Sequence, residues 1–283
     1  MAQSEDENRY FIDHESGAEM ARLLDQDRTF TRAMGGLLVE RDDDFTGIER
    51  VLDVGCGPGG WVQEVAFAHP KIEVVGIDLS KTMLAYARAQ AQVQHLDNAL
   101  FQEMDIQQPL EFPDDSFDLV NARLLGFFPS SFWPTLVQEY VRVARPGGLI
   151  RLTETEMSVS NSPALEQEMD WFFRALWKAG MSFSPNGHRL TVTAMLAPLL
   201  RQAGCRNVRV KAHGLDWSAG AEAHRSMGKD MQMGFKLMEP FYLTTGVASQ
   251  EELERTYEQM LIEIQQDTFG GIHYLLTAYG EKL

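Results

Sequence analysis

The sequence predicts an α/β fold: a mostly parallel seven-stranded sheet with helices on both faces, an N-terminal helical segment, and a helical cap inserted before the last strand. Three observations predict it. Short runs rich in Val, Ile and Leu recur between residues 50 and 155 with little polar alternation, the pattern of strands buried on both faces. Helical periodicity fills the gaps, and a strand–helix–strand order implies parallel pairing through crossovers. The first apolar run, Val51-Leu52-Asp53-Val54, feeds directly into the turn Gly55-Cys56-Gly57-Pro58-Gly59-Gly60. A strand, a glycine turn and a helix form the nucleotide-binding crevice of such sheets.

The elements follow in order. After an acidic start broken by Tyr10-Phe11-Ile12, helical spacing is present in Ala18, Met20, Ala21, Leu23 and Leu24, and again in Met34, Leu37, Leu38 and Val39. Arg41 to Asp44 is a charged break. Residues 1–44 are therefore expected as a helical segment or lid, and residues 45–283 as the main domain. Strands are expected at Arg50–Val54, Glu73–Ile77, Ala99–Asp105, Phe117–Asn121 and Gly148–Thr155. Ser80 is placed to cap a helix running to about Gln92, and Ser130 or Ser131 to cap the next, with Pro134 tolerated in its first turn. That helix repeats Leu136, Val137, Tyr140, Val141 and Ala144 at helical spacing. Further helices are expected at Leu165–Ala179 and Leu190–Ala203, with the polar loop Ser182–His188 between them. Asn207–Ala212 and Gly270–Tyr279 read as the last two strands. Between them Ser218–Phe269 reads as a helical insert, so residues 160–204 and 218–269 are the expected cap and substrate regions.

Composition narrows the partners. The 283 residues carry a formal net charge of -16 and a pI near 4.8. Such a field repels nucleic-acid phosphates and anionic membrane surfaces, so no nucleic acid and no membrane insertion are expected. No apolar run approaches the roughly 18 residues of a membrane span, and the N-terminus lacks a basic region followed by an apolar stretch. Cys56 and Cys205 have no zinc spacing and no metal is expected, which suits a reducing, cytoplasmic location. The Met-rich insert and the N-terminal segment are equally suited to subunit contacts, so a homo-oligomer is compatible with the sequence.

The glycine turn admits two readings. Taken literally, Gly55, Gly57 and Gly60 satisfy the dinucleotide pattern, a weak signal by itself. Asp78 follows at the distance from which an acid grips ribose hydroxyls. NAD and S-adenosylmethionine both carry that ribose, but they differ in charge. A pyrophosphate wants bare N–H groups and a helix N-terminus. S-adenosylmethionine brings an ammonium, a sulfonium and one carboxylate, and Asp53 beside the turn favours that cationic ligand by Coulomb attraction.

Here the chain resembles a family. Leu52-Asp53-Val54-Gly55-Cys56-Gly57-Pro58-Gly59 resembles the first motif of class I S-adenosylmethionine-dependent methyltransferases. Val75-Gly76-Ile77-Asp78-Leu79-Ser80 resembles the second, whose acid binds the ribose, and Gln102-Glu103-Met104-Asp105-Ile106 the third, whose acid faces the adenine amino group. Phe112 to Val120 resembles the lead-in to the fourth strand, and Arg142 to Leu149 the turn before the fifth. The nearest flavour is the menaquinone/ubiquinone-methyltransferase-like group of small-molecule enzymes. The resemblance spans residues 45 to 155 in the family's order. It implies a Rossmann-like fold and S-adenosylmethionine as cofactor, leaving S-adenosylhomocysteine as product. It also implies a cofactor site of Asp53, Gly55, Cys56, Gly57, Asp78, Leu79, Met83, Asp105, Ile106 and Asn121, with Tyr10 folding over it.

The implied acceptor is a small molecule, apolar or aromatic. Met and aromatic residues cluster in the variable parts, from Trp171 to Phe183 and from Met227 to Tyr242. In the family the loop after the fourth strand, here Gly126-Phe127-Phe128-Pro129, forms part of the acceptor site, and Asn121 and Arg123 begin it. That region lacks an Asp/Asn-Pro-Pro-Tyr motif, which argues against adenine or glutamine methylation. It also lacks an acidic cluster of metal-ligand spacing, which argues against a metal-dependent catechol enzyme. His188 is the candidate general base, in a loop able to face the pocket, and Glu154 and Glu156 are expected to leave the fifth strand towards the same crevice. Two other functions share these features. One binds S-adenosylmethionine for a non-methylating cyclisation or as a sensor. The other is an NAD-dependent oxidoreductase.

Overall fold

The computed structural model describes residues 17–283. Tyr10 and His14 lie outside the described residues. Helix α1 (Gly17–Met34) leads to a 3-10 turn at Val39–Arg41 and then to β1 (Arg50–Val54), α2 (Gly60–Ala68), β2 (Glu73–Asp78), α3 (Lys81–Val93) and β3 (Ala99–Glu103). Strand β4 (Phe117–Arg123), α4 (Trp133–Val143) and β5 (Ala144–Ser160) follow. The remainder is α5 (Pro163–Lys178), α6 (Val192–Gln202), β6 (Arg206–Asp216), α7 (His224–Thr245), α8 (Gln250–Glu263) and β7 (Gly271–Glu281). The seven strands form one sheet in the order β3-β2-β1-β4-β5-β7-β6. The first five are parallel, and β7 runs antiparallel to both β5 and β6.

Alternation along the central strands separates two cores. Val51, Leu119 and Leu149 pack with Trp61, Val62 and Val65 of α2 and Leu84 and Ala87 of α3. Leu52, Val120 and Ile150 face the other way, towards Leu136, Val137 and Tyr140 of α4 and the apolar faces of α5 and α6. Burial on both faces is why these strands show little polar alternation. No described helix is long and apolar enough to cross a membrane.

Local chemistry accounts for the ends of elements and for three departures from expectation. Ser80 caps α3, accepting from the Met83 N–H at 3.2 Å. Neither Ser130 nor Ser131 caps α4: the helix starts at Trp133 after Phe132, without a side-chain cap. The periodic run from Met34 to Val39 is not a second helix. Gly35 and Gly36 take positive φ of 96° and 155° and stop α1 there. The fifth strand runs well past Thr155 because Leu149 to Ser160 pair with β7, through a bulge between Thr155 and Met157. Ser218–Phe269 does hold two helices, α7 and α8.

Burial leaves one carboxyl in an unusual state away from the sheet edge. Glu168 of α5 is 2% exposed, and burial, reinforced by Glu239 and opposed by Lys236, pushes it up to about 8 from an ordinary 4.5. The folded state thus holds a proton that the unfolded chain releases above 4.5. That contribution to stability is complete below pH 4.5 and is lost as pH rises through about 8. Glu168→Gln is expected to leave the urea midpoint unchanged near pH 4.5 and to raise it at pH 9. An equal midpoint at pH 9 would show that the carboxyl is solvated.

Candidate active site

The cavity of about 310 Å³ lies at the C-terminal edge of the parallel strands and is lined by β1, β2, β4, β5 and the turns that follow them. This is the edge at which open α/β sheets bind ligands. Helices outside the sheet complete it, chiefly α1, through Arg22, Gln26, Asp27 and Phe30, and α7, through Asp230, Met231, Phe235 and Met238. A buried clasp holds these two helices together. Arg22 grips Glu19 through two bonds of 2.7 Å and donates to Asp230 Oδ1 at 2.7 Å. Gln26 donates to the same Asp230 carboxylate.

The glycine turn is shaped by close approach. Gly55 has a φ of +67°, and a Cβ there would meet Leu125 Cδ2 at 2.6 Å. Gly59 has a φ of +79°, and its Cβ would meet Phe101 at 2.6 Å and Ala87 at 2.9 Å. Only glycine tolerates both the backbone and the contact. The Cys56 N–H donates to Ile77 O at 2.9 Å, and the Gly57 N–H to Asp78 Oδ2 at 2.8 Å. The other Asp78 oxygen accepts from the Ser80 N–H at 2.9 Å, so one side chain fixes the ends of two strands.

Asp53 is 3% exposed and borders the cavity. Its burial pushes it up to about 7 from 3.8, against the lowering field of Arg123 and a bond from Asn121. That bond belongs to a buried chain across three strands. Asp53, Asn121 and Arg151 are direct register partners on β1, β4 and β5. Asn121 Nδ2 donates to Asp53 Oδ1 at 2.7 Å, and Arg151 Nη1 donates to Asn121 Oδ1 at 2.8 Å. Arg151 Nε then donates to Glu40 Oε2 at 2.9 Å, with both side chains fully buried.

The residues expected from sequence divide as follows. Asp53, Gly55, Cys56, Gly57, Asp78, Leu79, Met83, Asp105 and Ile106 all line the cavity. So do Gly126, Phe127, Phe128 and Pro129. Asn121 does not: it is fully buried and bonded to Asp53 and Arg151, so it meets the cavity only through Asp53. His188 is corrected outright. Its ring is exposed, and Nδ1 lies 3.2 Å from Asp170 on the outside of α5. Glu156 is the extra residue of the β5 bulge. Its carboxylate turns to the Thr191 N–H and Thr193 hydroxyl at the start of α6, leaving Glu154 alone of the pair on the cavity wall. Of the aromatic and Met residues singled out, Phe172, Met231, Phe235 and Met238 reach the cavity, while Trp171, Phe173, Met227 and Tyr242 are core.

His273 is a cavity residue that the sequence reading did not single out. It is 1% exposed on β7 and stacks on Phe30 at 5.0 Å. Its Nε2 lies 2.8 Å from Thr155 Oγ1, and its Nδ1 lies 3.0 Å from Ser158 Oγ. Thr155 spends its one hydroxyl proton on Tyr274 O, so Nε2 is the ring donor and Nδ1 accepts from Ser158. Burial pushes the ring down to about 3. It is therefore neutral, with both nitrogens satisfied, and supplies a wall rather than a base. No alternation in the sequence marks it, because the exposed strand neighbours Ile272 and Tyr274 are apolar as well.

Among the described residues, the two cations of the cavity wall are already engaged. Arg22 holds Glu19 and Asp230, and Arg123 holds Asp27 and the Thr31 hydroxyl. With Asp53, Asp78, Asp105 and Glu154 also on the wall, the cavity suits positive or uncharged ligands.

Residues 51–148 match the family model described as a methyltransferase domain. A probable methyltransferase of Aspergillus luteorubrus, ltbC, is 30% identical over 164 residues, covering 54% of this chain and 56% of that protein. A demethylmenaquinone methyltransferase of Lactococcus lactis is 30% identical over 137 residues, covering 48% of this chain and 52% of that protein. The chain thus spans about half the length of these relatives. Among solved structures, phosphoethanolamine N-methyltransferase 2 of Haemonchus contortus, in complex with phosphomonomethylethanolamine and S-adenosylhomocysteine, has a similar fold. It aligns with a TM-score of 0.52 at 17% identity, over 90% of this chain and 56% of that one. The turn, the strand-end acids and the sheet order agree with this match, and residues 51–148 are similar to a methyltransferase domain.

Proposed function

We propose that the protein binds S-adenosylmethionine in this cavity and transfers its methyl group to a small, apolar or aromatic molecule. The observation that carries the reading is the charge of the wall: Asp53, Asp78 and Asp105 at the strand ends around the glycine turn and apolar side chains beyond it, with Arg22 and Arg123 engaged by carboxylates. A pyrophosphate would meet Asp53 and Asp78 at the turn, whereas an ammonium meets opposite charge. The residues therefore fit S-adenosylmethionine, which supplies a methyl group on a sulfonium. In this reading Asp53 faces the ammonium, Asp78 the ribose hydroxyls and Asp105 the adenine, with Met83 and Ile106 packing the ring. Phe30, Phe127, Phe172 and Phe235 hold the acceptor and exclude water, which strengthens every electrostatic interaction inside.

Thermal shift with S-adenosylmethionine, S-adenosylhomocysteine and NADH tests this. A ligand at 100 times its dissociation constant stabilises by about 2.7 kcal/mol, a rise of roughly 5–10 °C for a chain of this size. A rise with both adenosyl compounds and none with NADH is expected. A rise with NADH alone would replace methyl transfer by hydride transfer.

A further inference from the structure

We propose that Glu154 takes the proton which the acceptor's hydroxyl or N–H loses on methylation, so that the cavity exchanges one buried ion pair for two neutral groups. The inference rests on the S-adenosylmethionine reading and deepens it.

Position comes first. Glu154 is 2% exposed, lies just before the bulge of β5 and lines the cavity. Its Oε1 accepts from the Leu125 N–H at 2.6 Å, and the Gly126 N–H also bonds to it. Leu125 in turn packs on Gly55 of the glycine turn. One carboxyl therefore stands where the cofactor end of the cavity meets the apolar end, next to Phe127 and Phe128.

Charge comes second. Asp27 and Asp230 on the same wall have arginine partners. Asp53 lies in the field of Arg123 and Arg151. Glu154 has two neutral N–H donors, and among the described residues no cation contributes to its balance; burial outweighs them and pushes it up to about 8. From α4, Tyr140 faces it, buried and pushed up by burial, by Glu154 and by Asp53. The loop Leu124–Pro129 carries no titratable side chain, and β7 places neutral His273 in the same cavity. His273 is no rival base, since both its nitrogens are bonded to hydroxyls.

A carboxyl of this kind is protonated at neutral pH until a cation arrives. A sulfonium nearby favours its ionised form. On transfer the acceptor's O–H or N–H bond breaks and the proton goes to Glu154. The acceptor's electron pair forms the new bond to carbon, and the pair of the old carbon–sulfur bond stays on sulfur. The carboxyl then returns to the neutral state that its surroundings favour.

The test needs no acceptor. Calorimetric titration at pH 7, repeated in buffers of different ionisation enthalpy, counts protons released on binding. S-adenosylmethionine and S-adenosylhomocysteine carry the same ammonium, so release from Asp53 is common to both. The difference between them isolates the sulfonium. S-adenosylmethionine is expected to release roughly 0.5–0.9 proton more than S-adenosylhomocysteine, as a group near 8 becomes ionised. Glu154→Gln is expected to remove that difference while both compounds still bind. Equal release in the unaltered protein would overturn the proposal, and so would a difference that persists in Glu154→Gln. Absence of binding by either compound would instead overturn the cofactor reading beneath it.

Discussion

Arg151→Met is expected to cost about 3–5 kcal/mol of folding stability, the usual consequence of stranding one member of a buried ion pair. Arg151 is fully buried in β5, and burial lowers its pKa while Glu40 opposes that shift. Removing it leaves the Glu40 carboxylate without a cation and the Asn121 carbonyl without a donor. Neither can turn to water, because the Glu40 side chain is itself wholly buried. Urea unfolding gives the loss directly. Glu40→Met combined with Arg151→Met is expected to recover most of it, since a buried pair replaced by apolar side chains of similar volume is often neutral. A single variant within 1 kcal/mol of the parent would mean that the chain is dispensable. The double variant still lacks the donor to Asn121, so its Asp53 remains less firmly held and its affinity for S-adenosylhomocysteine is not expected to return fully.

The contrast between this chain and the glycine turn shows what a sequence can disclose. Gly55, Gly57, Asp53 and Asp78 were legible because a strand, its turn and the acid at its end are adjacent in sequence, and their chemistry is local. Asp53, Asn121 and Arg151 form one rung only through register, and 68 and 30 residues separate the bonded pairs. No local pattern sets that register, so the sequence alone does not reveal that Asn121 bonds Asp53 and Arg151. Period two makes Glu154 and Glu156 equivalent in the sequence. The bulge at Thr155 to Met157, where Met157 takes a φ of 68°, reverses one of them. His188 sits in a polar loop, and its exposure leaves it beside Asp170 rather than in the cavity. His273 sits in a run that reads as core, where a buried ring is hidden among apolar neighbours. The cover supplied by α1 and α7 depends on the Arg22–Asp230 contact across 208 residues, which periodicity within either helix does not reveal.

Asp53→Asn is expected to weaken S-adenosylhomocysteine binding by roughly 10- to 100-fold, from the loss of a charged hydrogen-bond partner of about 1.5–3 kcal/mol. The amide keeps the shape of the carboxyl and can still accept from Asn121, so the fold is retained where Asp53→Ala would leave a buried donor unpaired. The choice of ligand matters. S-adenosylhomocysteine has no sulfonium, so Glu154 does not enter, and the ammonium alone reports on Asp53. The pH dependence has a definite sign. Asp53 is held up to about 7 in the folded protein, and only its ionised form attracts the ammonium. Affinity is therefore expected to climb from pH 5 to about 7 and then level off, while in Asp53→Asn it stays flat over that range. Stability runs the other way. A carboxyl raised from 3.8 contributes most below 3.8 and loses that contribution as pH passes 7, so the asparagine variant gains on the parent above pH 7 as it loses ligand. A variant that binds S-adenosylhomocysteine as tightly as the parent at pH 7.5 would remove Asp53 from the site. In that case the acid before the first glycine would serve only the rung that joins β1 to β4 and β5.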